Sequence, residues 1–444
     1  AVLDQFRVDV IYLDGDVYQG EELLARISRW EKNVRDRPNI TVTRYDGTPV
    51  AVAPQSIRLN PAMVGKRGYD TYTESHIAEI PDVMDAIVQA YVQDGQLNLG
   101  SIWEEDELMW PGLNCIVLRS HFGTHLEQLN RLLLIGEGSS WRDAQAAAPL
   151  FRELFPNVVV NVYRPIQVLN LGEAIDPAHD LALEISWSGT TDSLLKVDRW
   201  LAQMGVKRVA ITGRTQSDLG RRAARSGGVL NVHTGVEVSV ATVKGYEAIL
   251  MTLHLLALQL AEMHVQVRET IYAPLLNELL YVVPQHVRAA INDAARSRFI
   301  RQIADRCRDF NKVAVVGDSP VDIEAELKVE ELAQIVARTS DFHDADLRAL
   351  IERSALVKDD RQRTLFIINA TTPGARWEAQ FIINYLRELG VFCLIHTTPH
   401  DRLADWQKLA NTAVFVSPQV SDALQPLVDA HFTTWICKLS MTAV

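Results

Sequence analysis

The sequence predicts an α/β protein with two tandem doubly wound domains, mainly parallel sheets, and a small N-terminal β/helical appendage. Apolar runs of five or six residues recur along the chain, each bounded by Gly, Ser or Asp and followed by a helix-like stretch. Such runs are typical of strands buried in parallel sheets. The series occurs twice, and 444 residues exceed one ordinary core. Two similar α/β units are therefore the simplest interpretation.

Residues 1–65 are predicted to form the β appendage. Short apolar runs alternate there with turn signals such as Asp46-Gly47, a dipeptide typical of hairpins. Residues 66–125 are predicted to be a helical linker, because the segment from 69 to about 95 has helical apolar spacing. We expect Pro81 in the first turn of that helix, where proline is tolerated.

The first α/β unit is predicted over residues 126–268. Its predicted strands are the apolar runs 131–136, 157–162, 181–186 and 207–212. A helical stretch from about 240 to 265 follows them. Its apolar run is interrupted by His254 and Gln259 and is shorter than a membrane span requires, so a buried helix is predicted.

The second α/β unit is predicted over residues 269–444. It begins with a helical stretch from 271 to 308 that Pro274 and Pro284 interrupt. Its predicted strands are the apolar runs 312–317, 364–369, 391–396 and 413–417. Ligands of such sheets bind beyond the carboxyl ends of the strands, so these ends are where functional residues are expected.

Composition narrows the class of protein. A formal net charge of -12 opposes binding to nucleic acid, and 48% apolar with 23% charged residues is typical of a globular chain. The four cysteines show neither metal-ligand spacing nor a disulfide framework. Because no secretory signal is visible at the start, we expect a cytoplasmic protein with reduced thiols and no membrane segment.

Two hydroxyl-rich turns follow predicted strands. In Glu184–Thr191 a strand ends in Ser-Trp-Ser-Gly-Thr-Thr and a helix opens, an arrangement that can bind a phosphate dianion through hydroxyls and helix amides. The alternative is ordinary capping, which needs one hydroxyl. Gly136–Ser140 is a second such turn, although a lone Gly-x-Gly is weak evidence.

Together with a third segment, Gly235–Lys244, these turns resemble the SIS family of sugar-phosphate-binding domains. In that family a Gly-Thr-Ser turn, a Ser-x-Ser-Gly-x-Thr turn and a Glu-x-x-Val-Ala-Ser-Thr-Lys segment surround the sugar phosphate. The resemblance implies that the phosphate is bound by Ser140, Ser186, Ser188 and Thr191 and that the sugar site is lined by Trp187, Val240 and Thr242. Trp187 replaces the Gln and Thr190 the Glu of the synthases in this family, so the sugar preference is open.

The resemblance extends upstream to the glucosamine-6-phosphate synthases. Gly68–Pro81 keeps the register of the linker before their isomerase half, and residues 8–50 resemble the last strands of their glutaminase domain. Glutamine hydrolysis there requires an N-terminal cysteine, whereas residue 1 here is Ala. We therefore expect this chain alone not to hydrolyse glutamine, and ammonia to come from solution or from a separate glutaminase subunit.

In the second unit, Glu324–Leu332 resembles the family helix Glu-Gly-Ala-Leu-Lys-Leu-Lys-Glu-Ile. The resemblance places Lys328 and Glu331 on its two functional positions. Residues three apart share a helix face, so Lys328 can keep Glu331 ionised as the base that carries a proton between C1 and C2. The alternative is a solvated charged face, which is what most charge runs are.

Two further catalytic residues are implied by the resemblance. His343 is the candidate for the family's His-Gly-Pro histidine, which opens the sugar ring across a dimer interface, although it comes a few residues early and lacks Gly-Pro. The alternative is a polar surface histidine. Lys438 is the candidate for the lysine of the C-terminal tail that contacts the open-chain sugar, after a one-residue shift. The alternative there is an ordinary helix.

The resemblance implies an enzyme that interconverts ketose and aldose or aminoaldose forms of a hexose 6-phosphate, with fructose 6-phosphate and glucosamine 6-phosphate as ligands. Side chains can carry out these proton transfers, so no metal or cofactor is expected. A homodimer is expected by resemblance. The alternatives are a deaminase running in reverse, a regulatory protein that binds the sugar phosphate without turnover, and a structural subunit.

Overall fold

The structure is a computed structural model that describes most of the chain after residue 64 and three strands before it. The described ranges are 23–28, 39–44, 49–50, 65–93, 96–99, 125, 128–226, 228–239, 241–263, 269–307, 310–317, 319–343 and 364–442.

A small antiparallel sheet lies within the predicted appendage. Its strands are β1 (Leu23–Ser28), β2 (Asn39–Arg44) and β3 (Pro49–Val50), paired in that order. Helix α1 (Tyr72–Tyr91) comes next, and the strands β4 (Val92–Gln93) and β5 (Gln96–Leu97) follow it as a short antiparallel hairpin.

Pro81 lies in the interior of α1, so the expectation that it occupies the first turn is wrong. The helix begins earlier because Thr71 caps it: Thr71 Oγ1 accepts a hydrogen bond from the backbone N–H of Glu74 at 3.1 Å. A proline inside a helix removes one backbone hydrogen bond. Burial offsets that loss, because α1 buries Ile80 and Met84 completely.

The first α/β unit is a five-stranded parallel sheet with helices on both faces. In chain order its elements are β6 (Arg131–Gly136), α2 (Ser139–Leu154), β7 (Val159–Tyr163), α3 (Pro165–Leu169), a 3-10 turn (Gly172–Ala174), β8 (Asp180–Ile185), α4 (Asp192–Met204), β9 (Lys207–Thr212), α5 (Asp218–Ser226) and β10 (Val229–Asn231). The strand order is β10-β9-β8-β6-β7. Leu132 and Leu134 of β6 pack in one core layer with α1 and α2, and Leu133 and Ile135 pack in another with α4 and α5.

Helices connect the first unit to the second. They are α6 (Lys244–Met263), α7 (Glu269–Asn277), a π-helical turn (Glu278–Val282), α8 (Val283–Asn292) and α9 (Ala294–Cys307). Pro284 lies in the first turn of α8, where its missing N–H has no helical partner to lose. Among the described helices, none has the length and apolar character needed to cross a membrane.

The second α/β unit repeats the topology of the first. Its elements are β11 (Lys312–Val316), α10 (Pro320–Ala333), β12 (Val336–Ser340), β13 (Thr364–Ala370), α11 (Pro373–Glu388), β14 (Cys393–Thr397), α12 (Leu403–Gln407), β15 (Thr412–Val416) and α13 (Gln425–Thr442). The parallel strand order β12-β11-β13-β14-β15 equals that of the first sheet when β11 is laid on β6. The predicted fold class, with two tandem parallel α/β units, is confirmed.

Candidate functional site

The candidate site lies at the carboxyl edge of the first sheet, between β6 and β8. From β6 the chain continues to β7 on one side, and from β8 it continues to β9 on the other, so the strand order reverses between them. Ligands of open parallel sheets bind in the crevice at this switch point. Both predicted hydroxyl turns, Gly136–Ser140 and Ser186–Thr191, follow these two strands.

The turn after β8 gathers its hydroxyls through internal hydrogen bonds. Ser186 Oγ lies 2.9 Å from Thr191 Oγ1 and accepts a bond from the Gly189 N–H at 3.1 Å. Gly189 has φ +63, and a Cβ there would lie 1.8 Å from Ser217 Oγ, so glycine is required. Ser188 Oγ accepts bonds from the N–H and hydroxyl of Thr190 at 3.2 and 3.1 Å.

The turn after β6 brings α2 to the same place. Gly138, at φ +58, is the N-cap of α2 and has no side chain with which to cap it. A Cβ at Gly136 would lie 2.6 Å from the carbonyl carbon of Ser140, so the chain folds back tightly here. Ser140 is buried directly behind this turn.

Helix capping distinguishes the two units. In the part of the chain that the structure describes, neither α2 nor α4 receives a side-chain hydrogen bond from its N-cap residue. In the second unit, Ser319 accepts a bond from the Val321 N–H at the start of α10, and Thr372 accepts one from Ala375 at the start of α11. A helix start without a side-chain cap can leave N–H groups for an anion. The two hydroxyl turns predicted from sequence thus precede helices that lack a side-chain cap, although at the start of α2 the Ser140 and Trp141 N–H groups donate to the carbonyls of Glu137 and Gly138. We call these two turns, Gly136–Ser140 and Ser186–Thr191, the cradle.

Helix α10 of the second unit carries the predicted acid–base pair to this cradle. Lys328 Nζ lies 2.9 Å from Glu324 Oε1 and 3.0 Å from Glu331 Oε2. The Lys328 side chain is 2% exposed and that of Glu331 is 32% exposed, so the carboxylate of Glu331 is the one that reaches solvent. The structure thus brings Lys328 and Glu331 together as an ion pair with an accessible carboxylate.

Ser139 links the turn after β6 to Lys328 and Glu324 of α10 through two hydrogen bonds. Its hydroxyl donates to Glu324 Oε1 at 2.9 Å and accepts a bond from Lys328 Nζ at 3.2 Å. Glu324 is fully buried, and burial raises its pKa while Lys328 and Arg142 oppose the shift. Because Ser139 directly precedes Ser140, neighbouring residues connect the phosphate turn with the acid–base pair.

Trp187 forms a wall beside the cradle. Its indole Nε1 donates to Thr234 Oγ1 at 2.9 Å, and the guanidinium of Arg214 lies 5.2 Å from its ring centroid. A Cβ at Gly245 would lie 2.8 Å from both Trp187 Cδ1 and Thr242 Cγ2, so this glycine lets the two side chains approach. Val240, predicted with Thr242, lies outside the described residues.

The third predicted segment, Gly235–Lys244, supplies the side chain that caps the start of α6. Glu237 accepts hydrogen bonds from the backbone N–H groups of Val243, Lys244 and Gly245 at 2.7, 3.0 and 3.2 Å. Burial raises the pKa of Glu237 to about 7, although these bonds oppose the shift. Lys244 Nζ donates to Glu79 Oε2 at 2.7 Å and so ties α6 to α1. This segment holds the loop with Thr242 in place.

His343 and Lys438 have other neighbours within this chain. The His343 side chain is 78% exposed after β12, and its Nε2 lies 3.4 Å from Glu378 Oε1 of α11. Lys438 Nζ lies 5.3 Å from the ring centroid of Trp435. Burial lowers the pKa of Lys438, with Glu74 and Arg301 as the charged groups that act on it. The catalytic roles of both residues stay predictions.

Sequence reasoning missed two residues at the centre of the site, Ser139 and Glu324. Glu324 lies four residues before Lys328, a spacing that pairs side chains on a helix, and this signal was available. Ser139 is the first of two serines in its turn, and only the packing of α10 on α2 distinguishes their roles.

Comparison with known proteins agrees with this geometry. Residues 125–259 match the SIS domain family. Over 319 residues, 70% of this chain, the sequence is 26% identical to glutamine–fructose-6-phosphate aminotransferase (isomerizing) of Gloeobacter violaceus, of which 46% is covered. The corresponding protein of Leifsonia xyli subsp. xyli is 25% identical over 67% of this chain and 45% of its own length. The chain thus spans about half the length of these relatives.

Solved structures share the fold. The C-terminal domain of glucosamine-fructose-6-phosphate aminotransferase from Francisella tularensis superposes with a TM-score of 0.70 at 19% identity, covering 85% of this chain and 96% of that one. Tagatose-6-phosphate ketose/aldose isomerase from Escherichia coli gives 0.60 at 15% identity, covering 84% and 92%. The predicted resemblance to SIS domains and to the isomerase half of the synthases is confirmed.

Proposed function

We propose that this chain, which is homologous to the isomerase half of glutamine–fructose-6-phosphate aminotransferase, interconverts ketose and aldose or aminoaldose forms of hexose 6-phosphates. Fructose 6-phosphate and glucosamine 6-phosphate are the proposed ligands. The supporting observation is the contact of Lys328 with Ser139, which joins an acid–base pair to a turn beside two uncapped helix starts.

The cradle is proposed to bind the 6-phosphate. Its hydroxyl ligands are Ser140, Ser186, Ser188 and Thr191, assisted by the N–H groups that open α2 and α4. Helix N-termini favour a dianion through their dipoles, so no lysine is needed in the cradle. Trp187 and Thr242 line the sugar, and Val240 is proposed with them from sequence.

Glu331 is proposed to carry the proton between C1 and C2 through an enediol or enolamine. A carboxylate can take the proton from one carbon and return it to the next. Lys328 Nζ lies 3.0 Å from Glu331 Oε2 and holds that carboxylate in place. Buried Glu324 holds Lys328 from the other side, which fixes the direction of the ammonium.

Ring opening and nitrogen supply rest on the resemblance. The side chain of His343 is exposed in this chain, and we propose that it acts in the site of a second copy within a homodimer. Lys438 is proposed to contact the open-chain sugar. Ammonia is proposed to come from solution or from a separate glutaminase subunit. The reverse reaction, deamination of glucosamine 6-phosphate, uses the same groups, and mass action selects the direction.

An NMR time course tests the proposal. The protein is incubated with fructose 6-phosphate, with and without ammonium, and separately with glucosamine 6-phosphate. We expect new aldose or amino-sugar signals, and Glu331→Gln to reduce their rate by about 100-fold or more, the usual scale for loss of a general base. Glu330→Gln is the matched control, because the amide oxygen can still accept the bond from the Ala337 N–H. Equal rates for both variants would exclude the assigned base.

A sugar-phosphate-binding protein without turnover is the second candidate. It is supported by Trp187, which replaces a glutamine of the synthases, and by the surroundings of His343 and Lys438, which within this chain lie beside Glu378 and Trp435. These differences concern the residues proposed for the chemical step and not those proposed for the phosphate. Ligand-induced thermal stabilisation with no product after long incubation would favour this candidate.

A further inference from the structure

A buried acid near the proposed catalytic pair lacks a hydrogen-bond partner among the described residues. Asp143 on α2 is completely buried, and within that part of the chain neither of its carboxylate oxygens accepts or donates a hydrogen bond. Glu247 on α6 is also buried. Thr434 donates to Glu247 Oε1 at 3.3 Å, while Oε2 has no partner in the described structure. An ionised carboxylate in such surroundings is among the costliest groups to bury.

The charges in direct contact balance without these two acids. Lys328 Nζ lies 2.9 Å from Glu324 and 3.0 Å from Glu331, and Arg142 Nε lies 3.7 Å from Glu324. Two cations thus face two carboxylates. An additional ionised carboxylate in these buried surroundings would add negative charge beside Glu324, which favours the protonated forms of Asp143 and Glu247.

The surroundings of Asp143 favour its protonated form. The groups that act on it come from three helices: Glu324 and Lys328 of α10, Tyr246 and Glu247 of α6, and Arg142 of α2. Burial is the largest cause that raises the pKa of Asp143, and neighbouring carboxylates raise it further against the two cations. In the described part of the chain, no three His, Cys, Asp or Glu residues are arranged to hold a metal ion in place of the proton.

We propose that Asp143 is a neutral carboxylic acid at pH 7 and is a positioning residue for Lys328 and Glu331. An ionised Asp143 would attract the Lys328 ammonium and compete with Glu331 for it. In the neutral form it leaves the ammonium to Glu324 and Glu331, so the contact between Lys328 and the Glu331 carboxylate is kept. The positioning role rests on the proposed isomerase activity, whereas the protonation state does not.

Infrared difference spectroscopy of the full chain tests the protonation state without any substrate. Comparing wild type with Asp143→Asn at pH 7, we expect loss of the carbonyl stretch of a protonated acid. Asp176→Asn is the control, because hydrogen bonds from His179 and from the Ala178 N–H lower the pKa of Asp176, so only a carboxylate band should disappear. Should the Asn variant not fold, Asp143→Leu gives the same comparison. Loss of a carboxylate band on changing Asp143 would overturn the proposal.

The pH dependence of turnover tests the positioning role. Wild-type kcat should fall at alkaline pH as Asp143 ionises, and this fall should move up by at least about one pH unit in Asp143→Asn, which cannot ionise. If Asp143 had only a structural role, its replacement would lower kcat by the same factor at every pH. An unchanged alkaline limb would overturn the positioning role. A protonated-acid band in a protein without turnover would instead refute the isomerase proposal and leave the neutral acid established.

Discussion

Replacing Lys328 by methionine removes the cation that joins the two units at the site. The Lys328 side chain is 2% exposed, and its partner Glu324 has no exposed surface. Methionine has a similar length but no charge, so Glu324 would keep the hydroxyl of Ser139, at 2.9 Å, and the guanidinium of Arg142, at 3.7 Å. Removing one partner of a buried ion pair costs about 3–5 kcal/mol. Because Arg142 remains, we expect the lower end, and about 3 kcal/mol lowers Tm by about 6–12 °C in a domain of this size.

The pH dependence of this loss identifies its cause. Glu324 already has a raised pKa through burial, and loss of Lys328 raises it further. A group whose folded pKa is raised binds more protons in the folded state, so the destabilisation of Lys328→Met should be smallest in acid and grow as pH increases. Lys328→Met combined with Glu324→Gln removes both charges of the fully buried pair and should recover most of the stability without that pH dependence.

Thermal unfolding and the NMR assay together test this reasoning. We expect Lys328→Met to be destabilised and inactive, and the double variant to be stable but still inactive, because the ammonium that contacts the Glu331 carboxylate at 3.0 Å is missing from both. The reasoning is refuted if Lys328→Met unfolds at the wild-type temperature, or if Glu324→Gln fails to restore stability. A double variant with wild-type turnover would separate Lys328 from catalysis.

Two further measurements probe separate parts of the fold. Burial lowers the pKa of His254 from 6.5 to about 4, so wild type should lose up to about 3 kcal/mol as pH falls across that interval. The free energy of unfolding of His254→Gln, measured in urea, should lack this loss. If it falls with pH as steeply as that of wild type, the expectation is wrong. Calorimetric titration with fructose 6-phosphate should give one site per chain. Gly189→Ala should abolish it because its Cβ would meet Ser217 Oγ, whereas Gly374→Ala, with open space around its Cβ, should not. A second site, or binding by Gly189→Ala, would place the cradle elsewhere.

Burial explains which strands were predictable from the sequence. Central strands such as β8 and β13 are buried at every position and so read as continuous apolar runs. The strands β10 and β12 lie at sheet edges and were missed. β10 has three residues, and β12 alternates buried with exposed positions, so neither produces such a run. The edge strands β7 and β15 do carry apolar runs and were predicted, so β10 and β12 were missed for lack of an apolar run and not for their edge position.

The site was predictable where it depends on local chain geometry. A strand followed by hydroxyls and a helix indicated Ser186 and Thr191, because all three features occur within one stretch. The bond between Ser139 and Glu324 joins residues 185 positions apart and follows from the packing of α10 against α2. The unpartnered state of Asp143 likewise requires knowing which helices cover it. Such facts about tertiary packing have no local sequence signature.

Helix capping supports the proposal that, of two units with the same topology, the first binds the phosphate. A side-chain cap stabilises a helix start by about 1 kcal/mol, and α2 and α4 both lack one within the described structure. In the second unit Asp322 accepts a bond from the Ser319 N–H at 3.0 Å, so a carboxylate of its own chain occupies the place of an anion. A bound dianion would supply the missing interactions of the first unit and stabilise it, while the self-capped second unit supplies Lys328 and Glu331 through α10.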